Sequence, residues 1–372
     1  MIKPILRPLL QCLAMMLCFV ALRAEAEPYL AVQMGLKCGQ CHVNPTGGGL
    51  RTTFGDIFAQ TQLPHDHIDT GTGADTWTGD VAKFLRIGGD LRFDETATEQ
   101  PHTKTVNTFN LDQGVRVYLQ ASVIPERLFV YVDEQVAPNN AANREAYGVY
   151  WSANHDWYLK AGQMYLPFGL RLQDQSAFIQ TASGINMTTP DQGVEFGWER
   201  GNWDGQFTIS NGVPGSTSGE NGKQYSGQLA WVESMFRIGA AANFNNKQVG
   251  NKTQFALFGG LHTGPIAWLA QAELIHDQSV AEGTTINGQR QFATLVEANW
   301  LLAKGNNLKI TSEWFDPDRN VSHNDQTRWS VVYEWTPVQF VQIRGGARIK
   351  DGIPQVDSQH AKVYFVELHG FF

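Results

Sequence analysis

Cysteine and positive charge are both scarce in this chain of 372 residues. Four cysteines are too few for the dense disulfide framework of a small secreted scaffold. The 28 lysines and arginines are outnumbered by 36 aspartates and glutamates, so the formal net charge is −8. A chain with this acidic balance is not expected to bind nucleic acid. A close pair of cysteines in such a chain needs a chemical explanation.

Residues 1–26 have the pattern of a secretory signal peptide. Two cations near the start precede an apolar stretch over Leu9–Leu22, and Ala24–Ala26 provides the small-x-small pattern that signal peptidase cleaves. Gln11 interrupts the apolar stretch, which argues against a membrane anchor. We therefore expect an exported chain that starts at Glu27. Cleavage removes three cations, one carboxylate and two of the cysteines, so the net charge becomes about −10.

The two remaining cysteines directly precede a histidine. In Cys38-Gly39-Gln40-Cys41-His42 the spacing allows two thiols to add to the vinyl groups of haem while the histidine binds the iron. A reversible disulfide of the thioredoxin type would need a surrounding βαβ pattern, and a four-ligand zinc site would need a second cysteine pair. The sequence contains neither. The motif therefore predicts one covalent haem c, attached by Cys38 and Cys41, with His42 as an axial ligand of the iron.

The motif does not fix the second axial ligand. His65 and His67 are the candidates nearest in sequence, and Met34 is a weaker one because it lies only four residues before Cys38. Alternatively, both histidines are solvated linker residues, or the iron is five-coordinate and open to small ligands or peroxide. We take His65 or His67 as the candidate distal ligand.

Residues 27–82 are predicted to form a small, partly helical cytochrome c domain. A glycine-rich turn over residues 45–49 is followed by apolar residues at helical spacing. Their common face could cover the porphyrin. The residues of this face are Leu50, Phe54, Ile57 and Phe58. A domain this small has little hydrophobic core of its own, and covalent haem would staple it.

Residues 83–372 are all-β by their pattern and predict a transmembrane outer-membrane β-barrel of about sixteen antiparallel strands. Apolar residues alternate with polar ones over Val115–Ser122 and Val341–Lys350, and Arg, Lys, Gln and Glu occupy one face in strand after strand. A soluble sandwich also alternates, but a charged face repeated in this way is typical of a wet lumen with membrane lipid outside. The first two strands are predicted to start near residues 83 and 107.

The ends and connections of the barrel indicate its orientation. The last strand ends with Phe372, which resembles the C-terminal signal read by the outer-membrane assembly machinery. Short turns alternate with long loops, and short turns belong on the periplasmic side, where both barrel ends then lie. The longest connection, about 165–190, is the third long loop and resembles the inward-folded constriction loop of general porins. The alternative is an ordinary surface loop.

An N-terminal monohaem motif followed by a single-chain barrel resembles the fused outer-membrane porin-cytochromes, best known from iron-oxidising bacteria. The sharpest likeness is Cys38–His42 followed by Pro45 and by Phe54-Gly55, and the resemblance covers the whole mature chain. It implies electron passage between an extracellular donor or acceptor, such as Fe(II) or another metal, and periplasmic cytochromes or other carriers. The turn over Thr46–Leu50 departs from that family and leaves the donor open.

The thickness of the membrane adds a physical argument for the position of the haem domain. The hydrocarbon layer is roughly 30 Å thick, and one haem outside the barrel cannot bridge it. If conduction is the function, residues 27–82 must lie within the lumen. Inward-facing Arg116, Arg344 and Arg348 could then hold the domain or pair with haem propionates, or they could simply line water.

Two other classes of function stay open. The first is a passive diffusion porin for small anions or sugars with an accessory cytochrome domain. The second is a haem enzyme of the peroxidase or nitrite type, which needs an open iron and acid–base residues that the sequence does not identify. We predict an electron carrier rather than a bond-making enzyme, and leave open an oxidase activity toward metals.

Overall fold

The computed structural model describes residues 27–111, 114–138, 141–213, 222–247, 250–278, 281–282, 285–286 and 288–372. The predicted signal peptide, residues 1–26, lies outside the described residues. The helices are α1 Pro28–Met34, α2 Cys38–Cys41, α3 Thr53–Thr61 and α4 Phe178–Ser183, with 3-10 turns at Ala74–Thr76 and Asp357–Gln359. Within the described ranges, no helix has the length and apolar character needed to cross a membrane.

The strands account for most of the remaining residues. In chain order they are β1 Asp80–Ala82, β2 Leu85–Glu99, β3 Val106–Asn110, β4 Val115–Ile124, β5 Leu128–Ala137, β6 Ala142–Trp151, β7 Trp157–Met164, β8 Asp191–Arg200, β9 Trp203–Ser210, β10 Gln224–Val232, β11 Phe236–Lys247, β12 Gly250–Thr263, β13 Ile266–Asp277, β14 Ala281–Glu282, β15 Thr285–Ile286, β16 Gln289–Ala303, β17 Asn306–Asp316, β18 Gln326–Val338, β19 Val341–Asp351 and β20 Lys362–Phe371.

Sixteen of these strands form a closed antiparallel barrel. The sheet contains eighteen strands, of which β1 and β3 are short and pair with β2 alone. β14 and β15 form a separate two-stranded sheet. The barrel closes because β2 pairs with β4 on one edge and with β20 on the other. The predicted number of barrel strands is therefore confirmed.

One predicted strand start is displaced. The second strand was expected near residue 107, but the short β3 occupies Val106–Asn110 and the second barrel strand, β4, begins at Val115. β3 pairs with the far half of β2, Thr98 opposite Val106, and so extends the sheet beyond the barrel rim. A strand-like pattern over 106–110 was correct, but a sequence pattern does not distinguish a rim hairpin from a membrane-spanning strand.

Side chains alternate between lumen and outer surface along each barrel strand. In β18, Arg328 and Glu334 are buried inside while Trp329 and Tyr333 are exposed outside. An apolar outer face with aromatic girdles is what contact with lipid requires. Near the short turns, the outer surface carries a ring of partly exposed tryptophans: Trp157, Trp198, Trp203, Trp268, Trp300 and Trp335.

Residues 27–79, which we call the plug, close the short-turn end of the barrel. The Lys37 Nζ donates to the carbonyl of Gly201 at 2.9 Å, in one short turn. The backbone N–H of His65 donates to the carbonyl of Thr336 at 2.7 Å, beside another. Glu27 reaches inside the barrel, where its carboxylate lies 3.0 Å from the Lys309 Nζ.

Residues 165–190, which we call the inner loop, fold into the lumen between β7 and β8. The Ser226 Oγ donates to the carbonyl of Pro167 at 2.7 Å. The backbone N–H of Phe178, at the start of α4, donates to the Glu313 Oε1 at 2.7 Å. Ser226 and Glu313 are both barrel residues that face the lumen. The loop therefore lies in the lumen and constricts it, and the alternative of an ordinary surface loop is wrong.

Two glycines with the same left-handed backbone conformation provide a test of how the plug is held in the barrel. Gly49 (φ +68°) lies against the hydroxyl of the fully buried Tyr131, whereas Gly71 (φ +65°) has nothing within 4 Å of an added Cβ. Both changes to alanine carry the left-handed penalty of about 1–2 kcal/mol. Only Gly49→Ala adds a clash, and we expect it to release the plug.

Limited proteolysis in detergent would measure that release. Gly49→Ala should make residues 27–79 cleavable at temperatures where the wild type and Gly71→Ala resist, while the barrel itself stays intact. Equal cleavage of the two variants would show that the contact with Tyr131 does not hold the plug.

Candidate cofactor site

One helical turn brings the two cysteines of the motif together. In α2, Cys38 and Cys41 are three residues apart, so their sulfurs lie on one face. The backbone N–H of Lys37 donates to the Gln40 Oε1 at 2.8 Å and closes the start of the turn. His42 leaves the helix in an extended conformation, with its backbone N–H bonded to the Cys38 carbonyl at 2.9 Å.

All three residues of the motif line one cavity inside the barrel. Its empty space, including the part that opens to solvent, is about 1150 Å³. The plug, the inner loop and the barrel wall each contribute to the lining. Its apolar part includes Leu36, Phe58, Ala59, Leu63, Leu170, Leu172 and Phe258.

A glycine turn lets the chain after the motif approach this cavity closely. The Val43 N–H donates to the Leu50 carbonyl at 2.9 Å, which forms a hairpin around three consecutive glycines with positive φ. A Cβ on Gly47 would lie 3.6 Å from the Cys38 Sγ, and one on Gly48 would lie 3.6 Å from the Met187 Sδ. The glycine-rich turn that the sequence predicts is therefore a close-packed wall of the cavity.

The helix that follows the turn is confirmed, but its predicted apolar face is partly wrong. Phe58 lines the cavity, whereas Phe54 and Ile57 are 49% and 50% exposed. The buried face instead includes Gly55, whose lack of a side chain lets α3 pack on the carbonyl of Cys41. This face is buried because α3 packs on the motif there. Only glycine fits at position 55, since a Cβ would overlap the Cys41 carbonyl.

Arginines link the cavity walls. The Arg171 guanidinium, on the inner loop, donates to the Thr46 Oγ1 at 2.9 Å and to the Gly47 carbonyl at 3.0 Å, and so ties the loop to the plug. Arg237, on β11, is buried and also lines the cavity.

The three arginines considered from the sequence lie elsewhere in the lumen. Arg116 pairs with Asp133. Arg344 bonds the Glu367 carboxylate at 3.1 Å, and Arg348 lies 3.2 Å from Asp174. The lining of this cavity includes none of Arg116, Arg344 and Arg348. The Arg348 pair holds the inner loop to the barrel wall, and the other two pairs join neighbouring strands of the wall.

The structure does not bring either candidate histidine to the cavity. The His65 Nδ1 lies 3.2 Å from the Lys304 carbonyl, at a short turn, and the His67 Nε2 lies 3.3 Å from the Asp75 carboxylate. Met34 is half exposed and lines a separate cavity.

Met187 lines the cavity and was missed by sequence reasoning. It is only 5% exposed, and it belongs to the inner loop. Met187 lies far from the motif along the chain, so an argument from sequence proximity does not find it. The signal that could have found it is the predicted inward fold of its loop, which delivers side chains to the lumen.

The chemistry of the cysteines fits covalent attachment of haem. Both are free thiols, and burial raises the pKa of each, that of Cys41 to about 11. The nearby Arg237 guanidinium opposes the effect of burial on the pKa of Cys38. Among the described residues, no group of three His, Cys, Asp or Glu side chains could hold a bare metal ion. Two thiols on one face, a histidine and an apolar cavity suit a haem c better than zinc.

Solved porins share the barrel fold. An anion-selective porin from Comamonas acidovorans superposes with a TM-score of 0.62, at 7% identity, over 77% of this chain and 99% of its own. The trimer form of OmpT from Vibrio cholerae has a TM-score of 0.60, at 9% identity, over 77% and 99%. OmpF from Salmonella typhi, in complex with daunomycin, has a TM-score of 0.57, at 10% identity, over 77% and 97%. At these identities the likeness establishes the fold alone.

No protein-family model and no curated protein matches the chain.

The raised pKa values predict slow alkylation of the haem-free protein. A shift of the Cys41 pKa from 9.0 to about 11 lowers the reactive thiolate fraction at neutral pH, by about a hundredfold. The rate of reaction with iodoacetamide should therefore keep rising about tenfold per pH unit between pH 7 and 10. The urea-unfolded chain, as control, should level off earlier. Levelling below pH 9 in the folded protein would contradict the raised pKa of Cys41.

Proposed function

We propose that this chain is an outer-membrane barrel that carries one covalent haem c in its lumen and passes single electrons between an extracellular donor or acceptor and a periplasmic carrier. The observation that carries the proposal is the position of the motif. Cys38, Cys41 and His42 line a cavity enclosed by the barrel wall, the plug and the inner loop. A single relay has to lie within the barrel, because the hydrocarbon layer of roughly 30 Å separates the two partners.

The outer surface supports the location in the outer membrane. Apolar side chains face outward along the strands, and tryptophans ring the short-turn end. A barrel without sheet edges is one of the two architectures that lipid tolerates. The sixteen-strand porin fold agrees with this location, and lipid is then the partner of the outer wall.

A second cavity lies toward the long loops and offers an approach for an extracellular partner. Its empty space is about 1100 Å³, and Asp94, Arg348 and Glu367 are among its lining residues. Gln173 lines both this cavity and the one that contains the motif. The Gln173 side chain thus lies between the outer cavity and the proposed haem. The outer cavity is where a small donor, such as an Fe(II) complex or another metal, would bind.

The short-turn end offers an approach for a periplasmic cytochrome or other carrier. Phe58 lines the motif cavity, and its ring lies 6.5 Å from the ring of Phe54, centroid to centroid. Phe54 is 49% exposed on the plug. A carrier that docks there is separated from the cavity by two aromatic rings.

The bound haem would supply a one-electron couple between Fe(III) and Fe(II), with no substrate bond made or broken. Cys38 and Cys41 would hold it by thioether bonds, and His42 would bind the iron. The apolar walls would exclude water from much of the ring, and Arg171 ties the inner loop to the plug.

A second candidate is a passive diffusion porin, which the shared fold with an anion-selective porin favours. The two candidates differ in what crosses the membrane. Diffusion needs an open water path, yet the plug and the inner loop occupy the lumen in this structure. Under the porin hypothesis the plug therefore has to leave, and the cysteine motif has no part in transport.

Liposomes that contain the protein and enclose oxidised cytochrome c would separate these candidates. With Fe(II) added outside, the wild type should reduce the enclosed cytochrome, and the Cys38→Ser/Cys41→Ser variant should fall to the rate of empty liposomes. The reason is that only the haem-bearing protein has a relay. Haem staining after denaturing electrophoresis checks attachment, and heat-modifiable migration checks that the variant barrel is folded.

Conductance in planar bilayers supplies the control for diffusion. If the variant reduces the enclosed cytochrome as fast as the wild type and both conduct ions, diffusion explains the transport and the conduit is refuted. A wild-type protein from a haem-maturing host that carries no covalent haem would also overturn the proposal.

A further inference from the structure

We infer that Met187 is the second axial ligand of the haem iron, so that the plug supplies one ligand and the inner loop supplies the other. The inference rests on the proposed haem attachment at Cys38 and Cys41. It replaces the two histidines that sequence proximity suggested with a residue from the barrel part of the chain.

The lining of the motif cavity limits the choice. Apart from His42, Met187 is the one residue in the described part of the chain that lines it and carries a thioether or an imidazole. Thioether sulfur and imidazole nitrogen are the usual second ligands of c-type haem iron. His65 and His67 bond to a short turn and to Asp75 instead.

Two other lining side chains that could bind a metal, Lys37 and Glu27, are already paired. The Lys37 Nζ donates to the carbonyl of Trp203 at 2.7 Å, besides its bond to the neighbouring turn. The Glu27 carboxylate lies 3.0 Å from the Lys309 Nζ. These ion pairs and hydrogen bonds hold the plug to the barrel, and a ligand role would break them.

A backbone hydrogen bond fixes Met187 within the inner loop, and its sulfur lies beside the glycine turn. Its backbone N–H donates to the Gln175 Oε1 at 2.9 Å, within the inner loop. Its Sδ lies 3.6 Å from the position of a Cβ added at Gly48. The preceding residue of the same turn, Gly47, has the Cys38 Sγ at the same distance from an added Cβ. The two sulfurs thus lie against neighbouring residues of one turn.

The consequence is a cofactor whose coordination depends on the assembled barrel. His42 belongs to the plug and Met187 to the loop, and Arg171 joins the loop to the turn after the motif. A neutral, soft thioether stabilises the reduced iron, so it raises the reduction potential relative to a second imidazole. Release of the plug would remove this ligand while the covalent attachment stays.

Spectroscopy of the purified full-length protein tests the ligand directly. The ferric wild type should show the weak red charge-transfer band of sulfur-bound iron. The ferrous form should show an NMR methyl resonance of a ligating methionine, displaced far upfield by the ring current. Met187→Leu, which nearly conserves volume, should lose both signatures and lower the reduction potential, and Met187→His should lower the potential and give a bis-histidine spectrum.

Two controls fix the assignment. Met34→Leu alters a half-exposed methionine outside the cavity, and the His65→Ala/His67→Ala variant removes the sequence-based candidates. Both should keep the wild-type signatures. A wild type with covalent haem but no methionine signature, or a Met187→Leu variant that retains it, would overturn the inference and leave the conduit intact. A wild type without covalent haem would instead refute the proposed function.

Discussion

The pairing of the first barrel strand with the last, from Asp90 opposite Phe371 to Glu99 opposite Lys362, is the interaction on which the other features depend. Closure leaves the barrel no free edge, and it points every second side chain into an enclosed lumen. Charged groups in an enclosed space need partners, because loss of hydration is costly. Neighbouring wall residues, the plug and the inner loop supply them, as where the Asn44 amide of the plug donates to the Glu145 carboxylate at 3.0 Å.

The apolar cavity that contains the motif lies where the plug and the inner loop meet in this polar lumen. The barrel wall alternates and is largely polar inside, so it cannot by itself enclose the face of a porphyrin. Tyr29 and Val32 of the plug join Leu170 and Phe178 of the loop in one buried cluster, which reaches Phe258 of the wall. Three parts of the chain therefore build the site together, and burial of their apolar surface stabilises the plug in its position.

The sequence best predicts those features that depend on residues close together in the chain. Alternation with a period of two predicts the barrel, and the spacing of Cys38, Cys41 and His42 predicts attachment of haem, because both depend on neighbours in the chain. Contacts across the lumen leave no such pattern. Proximity favoured His65, yet hydrogen bonds with short turns hold that segment at the barrel rim. Met187 reaches the cavity only because its loop folds inward, and no local rule gives that destination.

The anchoring of the inner loop bears on how an outside partner could reach the cavity. Burial alone would raise the pKa of Asp174, but the guanidiniums of Arg328 and Arg348, at 3.0 and 3.2 Å, outweigh it and hold the pKa well below its ordinary value. The carboxylate therefore stays ionised down to strongly acidic pH, and the ion pairs that fix the loop persist with it. Gln173, the residue before Asp174, lines both the outer cavity and the motif cavity, so the proposed conduit places this side chain between an outside donor and the haem.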